Sequence, residues 1–118
     1  MATQQVEVEE FLTKCRVLIQ RGALTFVPRT KNIEGMAELG ITNVEAEKIL
    51  SRLTVNNYVR GPESDENGSL EDIWFFGAPV AKREAYIKMK IRLTSQGEIV
   101  VCISFHPSER DLRFPLRP

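Results

Sequence analysis

The sequence predicts an α+β domain in which N-terminal helices pack on one face of a C-terminal antiparallel sheet. In the first half of the chain, apolar residues recur at steps of three and four, which is typical of amphipathic helices. In the second half they alternate with polar residues, which is typical of strands with one buried face. The length of 118 residues suits a single domain over 1–118, with a loop at 61–70 and an extended tail at 107–118.

The first helix is expected over residues 6–21, because its apolar residues fall on one face. Glutamates lie near its start and Arg21 lies at its end, which is the favourable arrangement for the helix dipole. Gly22 is a suitable stop. The residues expected to enter the core are Val8, Phe11, Leu12, Cys15, Leu18 and Ile19.

Two shorter helices are expected next. Residues 31–39 form the first, which ends at Gly40. Thr42 and Glu45 match the Ser/Thr-x-x-Glu pattern of a capping box, which begins a helix that runs to about residue 53. The residues expected to be buried by this last helix are Val44, Ile49, Leu50 and Leu53.

Three short apolar segments are expected as strands, at 23–27, 55–60 and 72–77. The first is closed by Pro28, which favours the edge of a sheet. In the third, Trp74 and Phe76 should point to one side and Phe75 to the other. Residues 77–79 should then turn the chain.

Residues 84–107 predict the β-hairpin around which the sheet is organised. If Ser95, Gln96 and Gly97 form a three-residue loop with Gly97 in the left-handed conformation, Thr94 faces Glu98. This register gives an apolar face that pairs Leu93 with Ile99, Ile91 with Val101, Met89 with Ile103 and Ile87 with Phe105. The second face pairs Tyr86 with His106, Lys88 with Ser104, Lys90 with Cys102 and Arg92 with Val100.

This second face carries the only histidine of the chain, and we expect the helices to leave it open. A phenol, an imidazole and several cations on one face could bind and cleave a phosphodiester. An ordinary solvated face gives the same pattern, because antiparallel sheets often have one wet side. The pattern leaves both interpretations open.

The composition does not favour nucleic-acid binding overall, since Lys plus Arg and Asp plus Glu both number 16. The charges are unevenly placed, however, with acids at 63–72 and cations at 82–92. Cys15 and Cys102 have no metal-ligand spacing, so we expect two buried cysteines and neither a metal nor a cofactor. No apolar run is long enough to span a membrane and the N-terminus is acidic, so the expected location is cytoplasmic.

Four sequence blocks occur in a familiar order: LSRLTVNNYVRGP, DIWFFG, EAYIKMKI, and VVCISFHPSER followed by FPL. Their order and spacing over roughly residues 11–116 resemble the MqsR-like toxin family of bacterial type II toxin–antitoxin systems. The resemblance implies a RelE-like fold and a metal-independent endoribonuclease that cleaves messenger RNA. It also implies a cognate antitoxin protein as partner.

The resemblance implies the catalytic residues too. Tyr86 and Lys88 match the family's Tyr-x-Lys, and Arg60 stands where the family has a lysine. His106 and Phe75 stand where the best-known members have a lysine and a functional glutamine. The implied reaction is attack of a 2′-hydroxyl on the neighbouring phosphate, giving a 2′,3′-cyclic phosphate and a 5′-hydroxyl. A histidine can act there as acid or base, a tyrosine can donate or position, and the cations can hold the phosphate.

Lys90, Arg92 and Ser104 are the candidate RNA-binding residues beside this group. A different class of function also fits the sequence, namely a non-catalytic nucleic-acid- or protein-binding module of the same fold. An antitoxin or regulator would need a DNA-binding helix-turn-helix or a zinc site, and the sequence offers neither.

Overall fold

The computed structural model describes residues 2–65 and 71–118 of the chain, so part of the predicted loop, 66–70, lies outside the described residues. The helices of this part are α1 (Ala2–Gln20), α2 (Thr30–Leu39) and α3 (Asn43–Ser51), with a single 3₁₀ turn at Val55–Asn57. The strands are β1 (Leu24–Phe26), β2 (Tyr58–Ser64), β3 (Asp72–Val80), β4 (Arg83–Thr94) and β5 (Gly97–Pro107).

The sheet has five strands in the order β1-β5-β4-β3-β2 and is mixed rather than antiparallel. The four later strands pair antiparallel with their neighbours in sequence. β1 lies at the predicted edge but runs parallel to β5, with Leu24 opposite Val100. The prediction of an all-antiparallel sheet is therefore wrong at β1, because periodicity within a strand carries no information on the direction of a partner so distant in sequence.

The prediction of helices packed on one face of the sheet is confirmed in outline. α1 buries Val8, Leu12 and Cys15, and α3 buries Leu50, in one cluster with the sheet residues Phe76, Ile87 and Phe105. The capping box is present, with Thr42 Oγ1 accepting from the Glu45 amide at 3.2 Å. Val44 is 61% exposed, however, so the prediction that it is buried is wrong.

The α2 helix covers the edge of β5 beyond the point where β1 ends. Its contact is polar: the Asn32 side-chain amide donates to the Ile103 carbonyl at 2.8 Å and accepts from the Phe105 amide at 3.1 Å. Asn32 is buried and thus takes the place of a neighbouring strand for two backbone groups. The apolar Ile33 points outward and is exposed.

The register of the β4–β5 hairpin agrees with the prediction in one half and differs in the other. Tyr86 pairs with His106 and Lys88 with Ser104, as predicted. A β-bulge follows, after which Met89 pairs with Cys102, and Thr94 pairs with Gly97 across a two-residue loop. The predicted Thr94–Glu98 register and three-residue loop are therefore wrong, although the φ of Gly97 is positive at 113°.

Between the bulge and the hairpin turn, the residues of β5 point to the faces opposite to those predicted, because side chains alternate along a strand. Val100 and Cys102 join the core cluster, although the prediction set them against Arg92 and Lys90. Val101 and Ile103, which were predicted to enter the core, instead line the opposite face of the sheet. Ile103 is the extra residue at the bulge.

Two boundaries also differ from the predictions. β3 continues through the expected turn at 77–79 as far as Val80, and the chain turns instead at Ala81 and Lys82. The predicted strand at 55–60 begins as a 3₁₀ turn, and β2 extends into the predicted loop.

In the tail, Leu112 and Phe114 lie so close to Gly77 that a Cβ there would meet the Phe114 ring at 3.0 Å.

Candidate functional site

The predicted catalytic pair of β4 and β5 is in direct contact. The rings of Tyr86 and His106 have centroids 5.4 Å apart and are tilted by 40°. They face each other because they form a cross-strand pair in the half of the hairpin that keeps the predicted register. Across residues 2–65 and 71–118, no hydrogen bond of the Tyr86 hydroxyl is found, so this group is available to a ligand.

His106 is buried, which corrects the expectation that the helices leave this face open. Only 7% of the residue is exposed, and Gly35 of α2 packs against its backbone and Cβ. The His106 Nδ1 lies 2.9 Å from the Pro107 carbonyl oxygen. A carbonyl oxygen only accepts, so Nδ1 carries the proton of this bond. In the neutral ring Nε2 is then the nitrogen with the free lone pair.

Arg29 joins the site from the loop before α2. Its Nη1 donates to Ser104 Oγ at 3.3 Å, and Ser104 is the buried cross-strand partner of Lys88. Sequence reasoning missed Arg29, which is separated from Ser104 by 75 residues. Its only sequence signal is a cation immediately after Pro28 and before a helix.

Phe75 of β3 contacts two of the predicted cations. The Arg60 guanidinium carbon stands 3.8 Å above its ring centroid, and the Lys88 Nζ lies 5.5 Å from it. The Tyr86 ring is 6.2 Å away on the same face. Cation–π contacts hold long flexible cations in place, so Phe75 acts as a platform for both basic side chains. Arg60 also donates to Glu63 Oε2 at 2.8 Å.

One cleft of about 600 Å³ brings most of the predicted site residues together. The tail at 108–113 forms one wall of this cleft, and Arg29 and Lys31 lie at another. The predicted residues that line it are Arg60, Tyr86, Lys88, Ser104 and His106. We call it the candidate catalytic cleft. Lys90 and Arg92, the other predicted RNA-binding residues, do not line it.

Lys90 is engaged by carboxylates rather than open to a ligand. Its side chain is 6% exposed, and Nζ lies 2.7 Å from Asp65 Oδ2 and 2.9 Å from Glu71 Oε1. Burial by itself lowers the pKa of Lys90, but the hydrogen bonds and charges of Asp65 and Glu71 outweigh it and raise this pKa overall. The hydrogen bond from Lys90 in turn lowers the pKa of Glu71. Arg92 is half-exposed, with Nε 3.4 Å from Glu71 Oε2.

The described residues contain no group of three or more His, Cys, Asp or Glu side chains that could hold a metal ion. Cys15 and Cys102 are buried and not disulfide-bonded, as expected. Burial raises the pKa of the Cys15 thiol to about 12 and raises that of Cys102 as well, so neither is a reactive thiolate. Within the described chain, no helix combines the length and apolar character needed to cross a membrane.

No family model, curated protein or solved structure gives a significant match to this chain. The geometry of the candidate catalytic cleft is therefore the basis for proposing a function.

Proposed function

We propose that the chain is a metal-independent endoribonuclease that cleaves messenger RNA to a 2′,3′-cyclic phosphate and a 5′-hydroxyl. The observation that carries the proposal is the contact of the Tyr86 and His106 rings at the wall of a cleft that Lys88, Arg60 and Arg29 also line. It combines two groups able to transfer protons with three cations able to hold a phosphate. These are the parts that cleavage by an internal hydroxyl requires.

The proposed reaction uses His106 as the general base. Its Nε2 takes the proton of the ribose 2′-hydroxyl while the 2′-oxygen attacks the adjacent phosphorus. The bond from phosphorus to the 5′-oxygen of the next nucleotide breaks, and the Tyr86 hydroxyl gives its proton to that oxygen. Water then carries a proton from the imidazolium to the phenolate and restores both groups.

The cations stabilise the charge that grows on the phosphate oxygens in the transition state. Arg60 is held above Phe75, and Arg29 is held by Ser104, so both guanidinium groups are oriented before RNA arrives. A guanidinium can donate two parallel hydrogen bonds to one phosphate, whereas Lys88 acts as a point charge. Preorganised cations avoid the cost of ordering flexible side chains during the reaction.

The resemblance to the MqsR-like toxins supports a more specific proposal. On this proposal the fold is RelE-like, the chain is the toxin of a type II toxin–antitoxin system, and it acts in the cytoplasm. A cognate antitoxin protein would hold it inactive.

A non-catalytic nucleic-acid- or protein-binding module is the second candidate, and one observation favours it. Among the described residues, three cations of this face are matched by carboxylates: Arg60 by Glu63, Lys90 by Asp65 and Arg92 by Glu71. Phosphate binding competes with these pairs, which lowers the affinity expected for RNA. A docking surface that needs no chemistry would tolerate such pairing.

The test is expression of the chain in a host that lacks the cognate antitoxin. Growth is recorded and the 5′ ends of the RNA are mapped. The proposal expects growth arrest and new 5′-hydroxyl ends in the parent. Tyr86→Phe should abolish both, because it deletes the proposed proton donor. Tyr58→Phe is the matched control, since Tyr58 is the other tyrosine and its hydroxyl donates to the Gly61 carbonyl, outside the cleft. Normal growth and unchanged 5′ ends with the soluble parent would favour the binding module.

A further inference from the structure

A second cleft of about 690 Å³ adjoins the candidate catalytic cleft, and the proposed reaction uses none of its residues except the cations that the two clefts share. Its volume falls in the range of roughly 300–1,000 Å³ that is usual for ligand sites. Arg29, Arg60 and Lys88 line both clefts, so these three cations form a shared rim. A group bound in the second cleft would therefore sit beside any phosphate held by the rim.

The floor of the second cleft is apolar. Phe75, Ile73 and Val101 are buried but lie outside the core cluster of the helix side. They line this cleft together with Ile103 and Val27. The β-bulge produces this floor, because it turns Val101 and Ile103 away from the core. An apolar floor on the polar side of a sheet indicates contact with an apolar face of a ligand.

The walls of the cleft decide between a phosphate and a base. At the end of β2 and just after it, Glu63 and Asp65 line one side and pair with Arg60 and Lys90, so these carboxylates compete with a phosphate for the two cations. Carboxylate oxygens accept hydrogen bonds from the amino groups of nucleobases. Lys90 and Arg92 also line the cleft, but each is paired with a carboxylate, whereas the rim carries Arg29, Arg60 and Lys88, where a phosphate can reach them. The arrangement therefore fits a flat base inside the cleft and its backbone phosphate at the rim.

We propose that the second cleft binds one unpaired nucleobase of single-stranded RNA, adjacent to the scissile phosphate. The inference rests on the proposed endoribonuclease function and adds the subsite that orients its substrate. The base packs against Ile103 and Val27, the partly exposed residues of the floor, and its phosphate contacts Arg29, Arg60 and Lys88. Base contacts of this kind fix the register of a single strand, so the cleft would set which nucleotide flanks the cut.

The experiment is an abasic scan of a short single-stranded RNA that contains a cleavage site mapped in cells. Removal of one base at one position next to the cut should slow cleavage about 5–100-fold, which corresponds to the loss of one base contact. Removal of bases further away should have little effect. Equal cleavage of all the abasic substrates would overturn the proposal.

Two matched variants locate the effect. Ile103→Thr makes the floor polar while it keeps a β-branched side chain, and it should remove most of the abasic penalty. Ile99→Thr is the same change on the same strand at a residue that does not line the cleft, and it should keep the full penalty. An abasic penalty that is unchanged in Ile103→Thr would place the base elsewhere and overturn the assignment to this cleft.

Binding of the all-2′-deoxy oligonucleotide of the same sequence separates this inference from the proposed function. That probe lacks the attacking hydroxyl, so it reports binding without cleavage. A parent protein that never cleaves RNA, yet binds an all-2′-deoxy probe more weakly when the base at one position is removed, refutes the nuclease and supports the subsite. Cleavage or binding without any abasic penalty refutes the subsite, and a parent that neither cleaves RNA nor binds the probe refutes both.

Discussion

Gly35 of α2 lies directly against His106 of β5. A Cβ added at residue 35 would come within 2.8 Å of the His106 Cα and closer still to its Cβ. Both groups are part of the packed interior, so neither can move as a flexible side chain would. The absence of a side chain at residue 35 is thus what allows α2 to cover His106, the candidate general base.

Gly35→Ala should destabilise the protein although alanine is the better helix former. In an open helix the change gains about 0.5–1 kcal/mol, but here the added methyl group forces α2 away from β5. Overpacking of this kind costs about 1–3 kcal/mol, so we expect a lower melting temperature. Glu34→Ala on the exposed side of the same helix is the control and should change stability little. A melting temperature for Gly35→Ala at or above that of the parent would contradict the packing described.

Tyr86→Phe should reduce cleavage strongly with little change in stability. The substitution removes one hydroxyl that has no hydrogen bond in the described part of the chain, so the folded state loses little. Loss of a general acid lowers rates by roughly 10²–10⁴-fold. Single-turnover cleavage measures the loss of activity, and thermal melting of the same protein samples measures the stability. Full cleavage by the variant would place the proton donor elsewhere. His106→Ala is a less clean test, because this buried residue contributes to packing against α2.

Lys90→Met should destabilise the fold far more than Arg92→Met, because Lys90 is a buried cation that contacts the buried Asp65 and the partly exposed Glu71. Removing one partner of a buried ion pair costs about 3–5 kcal/mol, and we expect about 3 here because Glu71 is partly exposed. Arg92 is half-exposed, so its loss should cost no more than about 1 kcal/mol. Chemical denaturation of the two variants gives the comparison. Equal losses would show that the pair at Lys90 is no stronger than a surface contact.

The same ion pair predicts how stability depends on pH. The pKa of Glu71 lies below its ordinary value of 4.5, so its contribution is present above that pH and is lost as the pH falls further. The pKa of Lys90 lies above 10.5, so its contribution is present below that pH and is lost on further alkalinisation. Lys90→Met should therefore show a smaller fall in melting temperature below pH 4.5 than the parent. A parallel acid decline in both proteins would argue against this linkage.

Chelation should leave cleavage intact, because the proposed chemistry needs only protein side chains. The described residues offer no cluster of metal ligands. The measurement is cleavage of a defined RNA before and after EDTA treatment. Magnesium or zinc is then added back to see whether it restores any activity that EDTA removed. Activity that EDTA removes and either metal restores would refute the proposed mechanism.

The strict alternation of polar and apolar residues in β4 explains why the Tyr86 and Lys88 part of the site was predictable. Tyr86 and Lys88 alternate with apolar residues, so only one face could be polar, and their partners followed from the register. Residues 99–103 are all apolar, so either orientation of β5 buries enough surface, and the bulge at Ile103 leaves no mark in the sequence. For that reason the second cleft could not be predicted.

Contacts between distant segments explain the remaining differences. Arg29 and Asn32 reach β5 from more than 70 residues away, and their roles depend on where α2 docks. The pairing of Lys90 with Asp65 likewise joins β4 to the segment after β2, although β3 lies between these two strands in the sheet. Local periodicity describes the face of one element, whereas each of these contacts requires the arrangement of two elements in space.

Lys88→Ala should weaken RNA binding and make it less sensitive to salt. Lys88 lines both clefts at the shared rim, where the backbone phosphate is proposed to lie. Each cation that neutralises a phosphate of a single strand contributes about 0.7 to the slope of log affinity against log salt concentration. The slope for the all-2′-deoxy probe should therefore fall by about 0.7 in the variant. Lys48→Ala is the matched control, because Lys48 is an exposed lysine of α3 on the helix side of the sheet, and it should keep the parental slope. If Lys88→Ala keeps that slope, or if Lys48→Ala reduces it equally, then the RNA backbone does not cross the rim between the two clefts.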